Sequence, residues 1–327
     1  MGSDNLLFLN GEDILKGLSF EEVMDNVEKA YAIYEKKECI QPSRIQIPYL
    51  ENSLLYMPCF IKDIFGTKIL TVFPKNIEKH KPTINGLMLL NDIDSGEPLA
   101  LLDGKILTAL RTGAAGGVSI RHLSLTQDNT IGLVGVGTQG FYQLLFAAQV
   151  RDIKKITLFD IFPQKLLAFQ EKLTKSIPNI NIYIASSIEE LLDTSKIVIT
   201  ATTSEKPVLP NREDLLCGKH FVGIGSFKPT MREYPAALFS LLKRVYVDTE
   251  YAMEESGDLL VPLQNKWIRK EQIKTIGYLL FHKKEEKILE QETTFFKSVG
   301  MALVDLIVSQ LIYQKAVENE LGQKIII

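Results

Sequence analysis

A glycine-rich segment is the clearest sign of chemistry in this sequence. Residues 131–140 read IGLVGVGTQG, so Gly135, Gly137 and Gly140 form the pattern GxGxxG between an apolar stretch and a predicted helix. In such turns the first glycine makes the bend, the second lets backbone approach a diphosphate, and the third lets helix and strand pack closely. The N–H groups and the dipole at the helix start favour negative charge. The segment therefore predicts a dinucleotide-binding turn, the alternative being an ordinary turn.

An acidic residue ends the next predicted strand. Asp160 closes the run KKITLFD, about 20 residues after Gly140. A carboxylate at this place accepts hydrogen bonds from the ribose hydroxyls and repels a 2′-phosphate. We therefore predict NAD(H) as the favoured cofactor over NADP(H). The alternative is that Asp160 only caps a helix ahead of Pro163.

Three basic residues lie in apolar or small-residue surroundings. Arg44 opens a predicted strand, Lys68 lies inside the segment GTKILTVFP, and Arg111 precedes a helical stretch of small residues. Such side chains are rarely buried unless they are paired. A substrate carboxylate is one candidate partner, and an internal Asp or Glu is the other. Spacing alone leaves both alternatives open.

Histidine and cysteine form no catalytic or metal-binding pattern. The four histidines have no accompanying GxSxG motif, and they read as structural residues: His80, His122, His220 and His282. The three cysteines lack CxxC or Cys/His ligand spacing: Cys39, Cys59 and Cys217. We therefore predict no metal site, and reduced thiols in a cytoplasmic setting.

Composition and charge exclude other classes of protein. The chain has 327 residues, a net charge of −3 with the signs interspersed, and 46% hydrophobic residues. No basic stripe suited to nucleic acid is present. No apolar run reaches the roughly 18 residues of a membrane helix, and no signal peptide is evident. We expect a protein that binds neither nucleic acid nor membranes.

The pattern of elements predicts two domains. A capping box at Ser19 and Glu22 starts a helix, and short strands fill 44–102 before a helix from about 105 to 123. From Thr130 onward, apolar strands alternate with helices, which is typical of a doubly wound parallel sheet. We predict an α/β protein in which a Rossmann-type domain spans 123–297. A strand-rich α+β domain for substrate binding and dimerisation would combine 1–122 with 298–327, its last helix running from about 298 to 319.

Several segments together resemble the ornithine cyclodeaminase/μ-crystallin family over nearly the whole chain. They are, in chain order, GTKILTVFPKN, TINGLMLLNDIDSGEPLALLDG, ILTALRTGAAGG, GLVGVGTQG, ESGDL and FFKSVGMALVDL. The resemblance implies a homodimer formed through the strand-rich domain, with the active site between the two domains. It also implies that Arg44, Lys68 and Arg111 hold a substrate carboxylate.

The resemblance further places residues near the nicotinamide. Thr83 matches a residue beside the ring, and Ser298, Val299 and Gly300 match a loop that closes over it. The complete set of predicted cofactor-binding residues is Thr83, Thr112, Gly135, Gly137, Thr138, Gln139, Gly140, Asp160, Thr202, Ser226, Ser298, Val299 and Gly300.

One departure from the family pattern indicates the branch. Ornithine cyclodeaminases carry a proton-handling aspartate two residues after the glycine that corresponds to Gly225, and Phe227 occupies that position here. A phenyl ring neither accepts nor donates a proton. Ketimine reductase-like members also lack the aspartate. Phe227 is therefore assigned to the substrate pocket, with Lys68 and Arg111 as the catalytic candidates.

These inferences predict an NAD(P)H-dependent enzyme that reduces the C=N bond of a small, cyclic ketimine carboxylate. One alternative is an amino-acid dehydrogenase of the alanine type, or a deaminating enzyme like ornithine cyclodeaminase. Another, of a different class, is a non-catalytic nucleotide-binding protein resembling μ-crystallin.

Overall fold

The structure, a computed structural model, describes residues 5–79 and 81–326. His80 lies outside the described residues, so its predicted structural role is not addressed. The strands are β1 Asn5–Leu9, β2 Ile45–Tyr49, β3 Asn52–Phe60, β4 Ile64–Val72, β5 Ile84–Asp92, β6 Pro98–Asp103, β7 Thr130–Val134, β8 Lys155–Phe159, β9 Asn181–Ile184, β10 Ile197–Thr200, β11 His220–Gly223, β12 Val245–Val247, β13 Ile273–Thr275, β14 Thr294–Lys297 and β15 Gln323–Ile326.

The helices are α1 Gly11–Leu15, α2 Phe20–Glu35, α3 Gly104–Leu123, α4 Thr138–Val150, α5 Leu166–Ser176, α6 Ile188–Asp193, α7 Glu213–Leu216, α8 Ala236–Ser240, α9 Ala252–Glu255, α10 Gly257–Gln264, α11 Ile276–Phe281 and α12 Ala302–Glu318. No helix in the described ranges is long and apolar enough to span a membrane.

The chain divides into two compact units. Unit 1 comprises Met1–Arg111 and Met301–Ile327, and unit 2 comprises Thr112–Gly300. The sequence placed the first border at 122, at the end of α3, whereas the border lies after Arg111. Small residues explain the difference, because a Cβ on Gly113 would come within 2.5 Å of Phe146 of α4, so this part of α3 packs closely against unit 2.

Unit 1 contains a seven-stranded sheet in the order β15-β1-β6-β5-β4-β3-β2. Its pairs are antiparallel except that β1 and β6 run parallel, so the predicted strand-rich α+β character is confirmed. Helix α2 begins with the predicted capping box, in which Ser19 Oγ accepts from Glu22 N at 3.1 Å. Side chains of β4 alternate between buried and half-buried positions, and Lys68 falls on the buried face with Gly66. That face lies against α12, because a Cβ on Gly66 would come within 3.2 Å of Leu306.

Unit 2 contains an eight-stranded sheet in the order β13-β12-β14-β11-β10-β7-β8-β9. Its described pairs are all parallel, so the predicted doubly wound Rossmann-type sheet is confirmed. The carboxyl ends of β7, β10, β11 and β14 lie next to one another at one edge of this sheet. In such folds ligands bind beyond that edge.

The C-terminal helix starts later than the sequence predicted. Helix α12 begins at Ala302 rather than near Ser298. The intervening segment follows β14, and Gly300 has a φ of +82°, a left-handed conformation that ends regular structure. Residues 298–300 belong to unit 2 and form a loop that follows β14 at the carboxyl edge of its sheet.

Candidate cofactor-binding and substrate-binding sites

The glycine-rich turn follows β7, and each of its glycines meets a different constraint. Gly135 has a φ of +98°, and a Cβ there would lie 2.8 Å from Ala201 O. A Cβ on Gly140 would lie 2.5 Å from Gly135 O, so helix and turn touch directly. Around Gly137, by contrast, nothing lies within 4 Å of the Cβ position. The turn is therefore closely packed at Gly135 and Gly140 and open at Gly137, which is the shape that a diphosphate requires.

Helix α4 begins at this turn without a side-chain cap. Its N-cap residue is Gly137, which offers no capping side chain, so N–H groups of the first turn remain available to an anion. Gln139 Oε1 is buried and has no hydrogen-bond partner among the described residues. Thr138 and Gln139 are the first two residues of α4, so their backbone N–H groups belong to this uncapped turn and can donate to a diphosphate. This donor set fits a dinucleotide.

Asp160 follows β8 and contacts the glycine-rich turn. Its Oδ2 accepts from Val136 N at 2.9 Å, and its Oδ1 accepts from Phe162 N at 2.9 Å. The helix-cap alternative does not describe this arrangement, since the cap of the short helical turn Pro163–Lys165 is Phe162. Each carboxylate oxygen can accept a further hydrogen bond, so Asp160 braces the turn and keeps acceptor capacity for ribose hydroxyls.

The loop after β14 is held by an acid that sequence reasoning missed. Asp248, just after β12, accepts from Ser298 Oγ at 2.7 Å, from Val299 N at 3.0 Å and from Gly300 N at 2.7 Å. One buried carboxylate thus fixes all three residues that the sequence assigned to the nicotinamide loop. Asp248 ends the run RVYVD, as Asp160 ends its own strand, and this parallel was the available signal.

The remaining predicted cofactor residues lie in both units. Thr112 is buried in α3, and its carbonyl accepts from Gln143 Nε2 at 2.6 Å. Thr202 and Ser226 follow β10 and β11 in unit 2. Thr83 belongs to unit 1, where its carbonyl accepts from Phe73 N at 2.7 Å.

A buried ionic cluster in unit 1 brings together two of the three predicted basic residues. Asp305 Oδ2 lies 2.5 Å from Lys68 Nζ, and Asp305 Oδ1 lies 2.9 Å from Arg111 Nε. The side chains of Lys68 and Asp305 are wholly buried, and Arg111 is 8% exposed. The internal carboxylate left open as an alternative partner is therefore present, supplied by α12.

Lys68 is the most perturbed cation of this cluster. The pKa of Lys68 is lowered to about 7. Burial is the largest cause, the charges of Arg111 and Arg44 act in the same direction, and Asp305 opposes them. Two cations, Lys68 and Arg111, share one carboxylate, so with Lys68 protonated the cluster retains one net positive charge. It can therefore neutralise an external carboxylate in addition to Asp305.

Asp305 was missed at the sequence level although a signal existed. It stands in the apolar run ALVDLIV, the same kind of setting that drew attention to Lys68. A charge in an apolar helix face requires a partner when buried.

Phe227, the other predicted pocket residue, is half-buried in unit 2, with its ring centroid 5.7 Å from Lys228 Nζ.

His220 and Cys59 have structural surroundings. His220 lies buried between Ser119 Oγ at 3.3 Å and Thr294 Oγ1 at 2.9 Å, and burial lowers the pKa of His220 to about 3. Burial also raises the pKa of the Cys59 thiol well above its usual range. In 5–79 and 81–326, no group of three His, Cys, Asp or Glu side chains is placed to hold a metal ion.

The parallel sheet and its glycine-rich turn define unit 2 as a Rossmann-type dinucleotide-binding fold. Residues 5–320 match the model of the Ornithine cyclodeaminase/mu-crystallin family, and the chain belongs to this family. The resemblance inferred from the sequence segments is thereby confirmed.

Individual relatives cover almost the whole chain. A Delta(1)-pyrroline-2-carboxylate reductase of Bacillus cereus is 34% identical, over 98% of this chain and 99% of its own length. The Thermococcus litoralis Delta(1)-pyrroline-2-carboxylate reductase, solved with NADH and L-proline, is 31% identical with a TM-score of 0.92, covering 98% of this chain and 100% of that one. An archaeal alanine dehydrogenase dimer with bound NAD is 29% identical with a TM-score of 0.90, covering 98% and 99%.

Proposed function

We propose that this protein uses NAD(P)H to reduce the C=N bond of a small cyclic ketimine carboxylate, such as a pyrroline- or piperideine-2-carboxylate. The observation that carries the proposal is the buried cluster of Lys68, Arg111 and Asp305, in a chain whose other unit has a dinucleotide-binding turn. The activity of the pyrroline-carboxylate reductases among its relatives supports this chemistry. Relatives solved with NADH or NAD, together with Asp160, favour NAD(H) over NADP(H).

The basic residues would hold and polarise the substrate. Arg44 and Arg111 hold its carboxylate, and charge-assisted contacts of this kind contribute roughly 1.5–3 kcal/mol each. Asp305 keeps Lys68 and Arg111 in place and prevents their mutual repulsion from separating them. Phe227 lines the pocket without taking part in proton transfer.

Reduction of an imine adds a hydride to carbon and a proton to nitrogen. The bound cofactor supplies the hydride. Lys68 supplies the proton, because an ammonium whose pKa is lowered to about 7 donates readily near neutral pH. After donation the amine regains its proton from solvent, and Asp305 holds the side chain through both states.

The cofactor would be held by unit 2 and by Thr83. Gly135, Gly137 and Gly140 admit the diphosphate at the start of α4, beside Thr138 and Gln139, and Asp160 accepts from the ribose. The residues assigned to the nicotinamide end are Thr83, Thr112, Thr202, Ser226, Ser298, Val299 and Gly300.

An amino-acid dehydrogenase of the alanine type is the second candidate. A 30% identical alanine dehydrogenase of Archaeoglobus fulgidus, aligned over 98% of this chain, favours it. Both reactions need a bound carboxylate and a hydride at the α-carbon, so the cluster in unit 1 serves either. They differ in whether the nitrogen belongs to a ring or leaves as ammonia.

The proposal includes a cytoplasmic homodimer formed through unit 1. Strand β2 is an edge strand that exposes Ile45, Ile47 and Tyr49 at 54%, 49% and 72%. Exposed apolar edge strands favour pairing with another chain. The archaeal alanine dehydrogenase, which is a dimer, supports a dimeric state.

An oxidation screen tests the function. NADH and NADPH are each offered with preformed cyclic ketimine carboxylates, and separately with 2-oxo acids plus ammonia. We expect rapid NADH oxidation with a cyclic ketimine. Faster turnover of pyruvate with ammonia than of any cyclic ketimine would identify an amino-acid dehydrogenase instead. If hydride is transferred to none of these substrates, the protein is a non-catalytic nucleotide-binding protein.

A further inference from the structure

The side chain of Glu233 joins two loops of unit 2. Its Oε1 accepts from Thr202 N at 2.7 Å and from Thr202 Oγ1 at 2.8 Å. Its Oε2 accepts from Gly225 N at 2.8 Å and from Ser226 N at 3.3 Å. Thr202 follows β10 and Gly225 follows β11, and these strands are parallel neighbours. One buried carboxylate therefore ties together the carboxyl ends of two adjacent strands.

The two loops and the Glu233 carboxylate approach so closely that position 225 has no room for a side chain. A Cβ on Gly225 would lie 2.0 Å from Thr202 O and 2.5 Å from Glu233 Oε1. The carboxylate thus occupies the space between the loops, and its length sets their separation. Any change in its acceptor pattern must move one loop or leave its N–H groups without partners.

A second layer of charge holds Glu233 in place. Asp258 Oδ1 accepts from Glu233 N at 2.7 Å and from Tyr234 N at 3.0 Å. Asp258 Oδ2 lies 3.4 Å from Lys297 Nζ, with both side chains wholly buried. Lys297 is the last residue of β14 and directly precedes the Ser298 loop. The arrangement therefore links the ends of β10, β11 and β14.

Glu233 is placed to act as a carboxylate acceptor and not as an acid or base. Burial and the Asp258 charge raise the pKa of Glu233 above its ordinary value, although the Lys297 charge and the Thr202 donors act in the opposite direction. Both oxygens face N–H donors, so a proton on either would meet another donor. Four hydrogen bonds occupy the carboxylate, and none of its oxygens is accessible to a substrate.

Ligands of doubly wound sheets lie beyond the carboxyl ends of the strands. The glycine-rich turn after β7 lies at this edge, and so do the loops that Glu233 joins. We propose that Glu233 is a positioning residue that fixes the Thr202 and Gly225–Ser226 loops as the wall against which the nicotinamide end of the cofactor is oriented. This inference rests on the proposed function only in taking the cofactor to be NADH.

The test compares Glu233→Gln with Tyr234→Phe. A glutamine amide has one acceptor oxygen and one donor nitrogen, so one loop must lose its acceptor although the volume is unchanged. Tyr234→Phe removes a buried hydroxyl one residue away, which accepts from Thr200 Oγ1 at 2.9 Å, without touching either loop. Each variant is examined by calorimetric NADH titration, by steady-state imine reduction and by thermal unfolding.

We expect Glu233→Gln to raise the Kd for NADH about tenfold and to lower kcat by up to about 10²-fold. Tyr234→Phe should lose a comparable amount of thermal stability while keeping the NADH Kd within about twofold of wild type. If Glu233→Gln lowers only the unfolding temperature and leaves both NADH Kd and kcat unchanged, Glu233 is merely structural and the inference is wrong.

A second pair covers the case in which Glu233→Gln does not fold. Thr202→Val removes the hydroxyl that donates to Glu233 and keeps the branched shape, whereas Thr202→Ser keeps the hydroxyl. We expect the valine variant to raise the NADH Kd and the serine variant to restore it towards wild type. Equal affinities in both variants would overturn the inference. Wild-type protein that binds NADH but reduces no imine would count against the proposed function alone.

Discussion

Lys68 Nζ lies 2.5 Å from Asp305 Oδ2, although the two residues are 237 positions apart. Strand β4 supplies the lysine and α12 supplies the aspartate, and both side chains are wholly buried within unit 1. Arg111 binds the second oxygen of the same carboxylate. Burial and two neighbouring arginines lower the pKa of Lys68, and Asp305 raises it. Asp305 therefore keeps part of the Lys68 population protonated at neutral pH.

The first prediction concerns the pH dependence of activity. If Lys68 donates the proton, kcat/KM for imine reduction should be constant below pH 7 and fall about tenfold per pH unit above its pKa of about 7. Asp305→Asn removes the charge that raises this pKa, so the fall should begin at lower pH. The measurement is kcat/KM against pH for both proteins. A wild-type profile that stays level to pH 9 would show that another group donates the proton.

The same lysine should make stability depend on pH. Its folded pKa, about 7, lies below the unfolded value near 10.4. Between these values the unfolded chain binds the additional proton, so stability rises with pH through this window. Denaturant unfolding of wild type and Lys68→Met at pH 7 and pH 10 isolates the effect. We expect the free energy of unfolding of the wild type, relative to that of Lys68→Met, to increase by a few kcal/mol at most from pH 7 to pH 10. If the difference between the two proteins is the same at both pH values, the pKa of Lys68 is not lowered.

Arg111→Ala should impair substrate use while sparing cofactor binding. We expect kcat/KM to fall about 10²-fold or more, with KM rising first, because the cation holds the carboxylate in both the ground and transition states. Arg151 provides a matched control, since its guanidinium donates to the carbonyls of Ile120 and Ser124 at 2.8 and 2.9 Å. Arg151→Ala should lower stability and leave KM unchanged. Joint loss of folding and NADH binding in Arg111→Ala would assign it a purely structural role.

Asp160 should make NADH bind more tightly than NADPH. The carboxylate also accepts from Val136 N, so Asp160→Ser would disturb the turn as well as the charge. Asp160→Asn removes the charge and keeps one acceptor oxygen for Val136 N, while the hydrogen bond from Phe162 N is lost, so it disturbs the turn less than serine does. We expect Asp160→Asn to reduce the difference between NADH and NADPH affinity while NADH affinity falls only slightly. Calorimetry in which wild type prefers NADPH by about tenfold, or about 1.4 kcal/mol, would exclude the assignment.

Phe227 should prevent the conversion of ornithine to proline and ammonia. Ring closure requires a base for the attacking δ-amine, which is mostly protonated at neutral pH, and loss of one positioned acid–base group costs about 10²–10⁴-fold. Glu233 cannot replace that base, because four donors occupy its buried carboxylate. Ammonia release and proline formation with catalytic NAD are compared with NADH oxidation by a preformed ketimine. Comparable rates would place the protein among the cyclodeaminases and leave Lys68 as the candidate base.

Local sequence patterns determined those features whose physics is local. The GxGxxG spacing predicts strand, turn and helix because adjacent residues carry the constraint, and the structure has Gly135 at the positive φ that the turn needs. The capping box at Ser19 is formed within a single helical turn. The alternation of strands and helices after Thr130 likewise predicted a parallel sheet, since short connections leave few other ways to bury both faces.

Only the tertiary structure decided which distant residues meet. The sequence left Lys68 with two candidate partners, and Asp305 emerges only when α12 packs on β4. Glu233 braces its two loops mainly through backbone N–H groups, which carry no sequence signal of their own. Strand β15 was missed for the same reason, because its register is set by pairing with β1 at the other end of the chain. Charge pairing and strand pairing depend on proximity in space, which spacing along the chain does not encode.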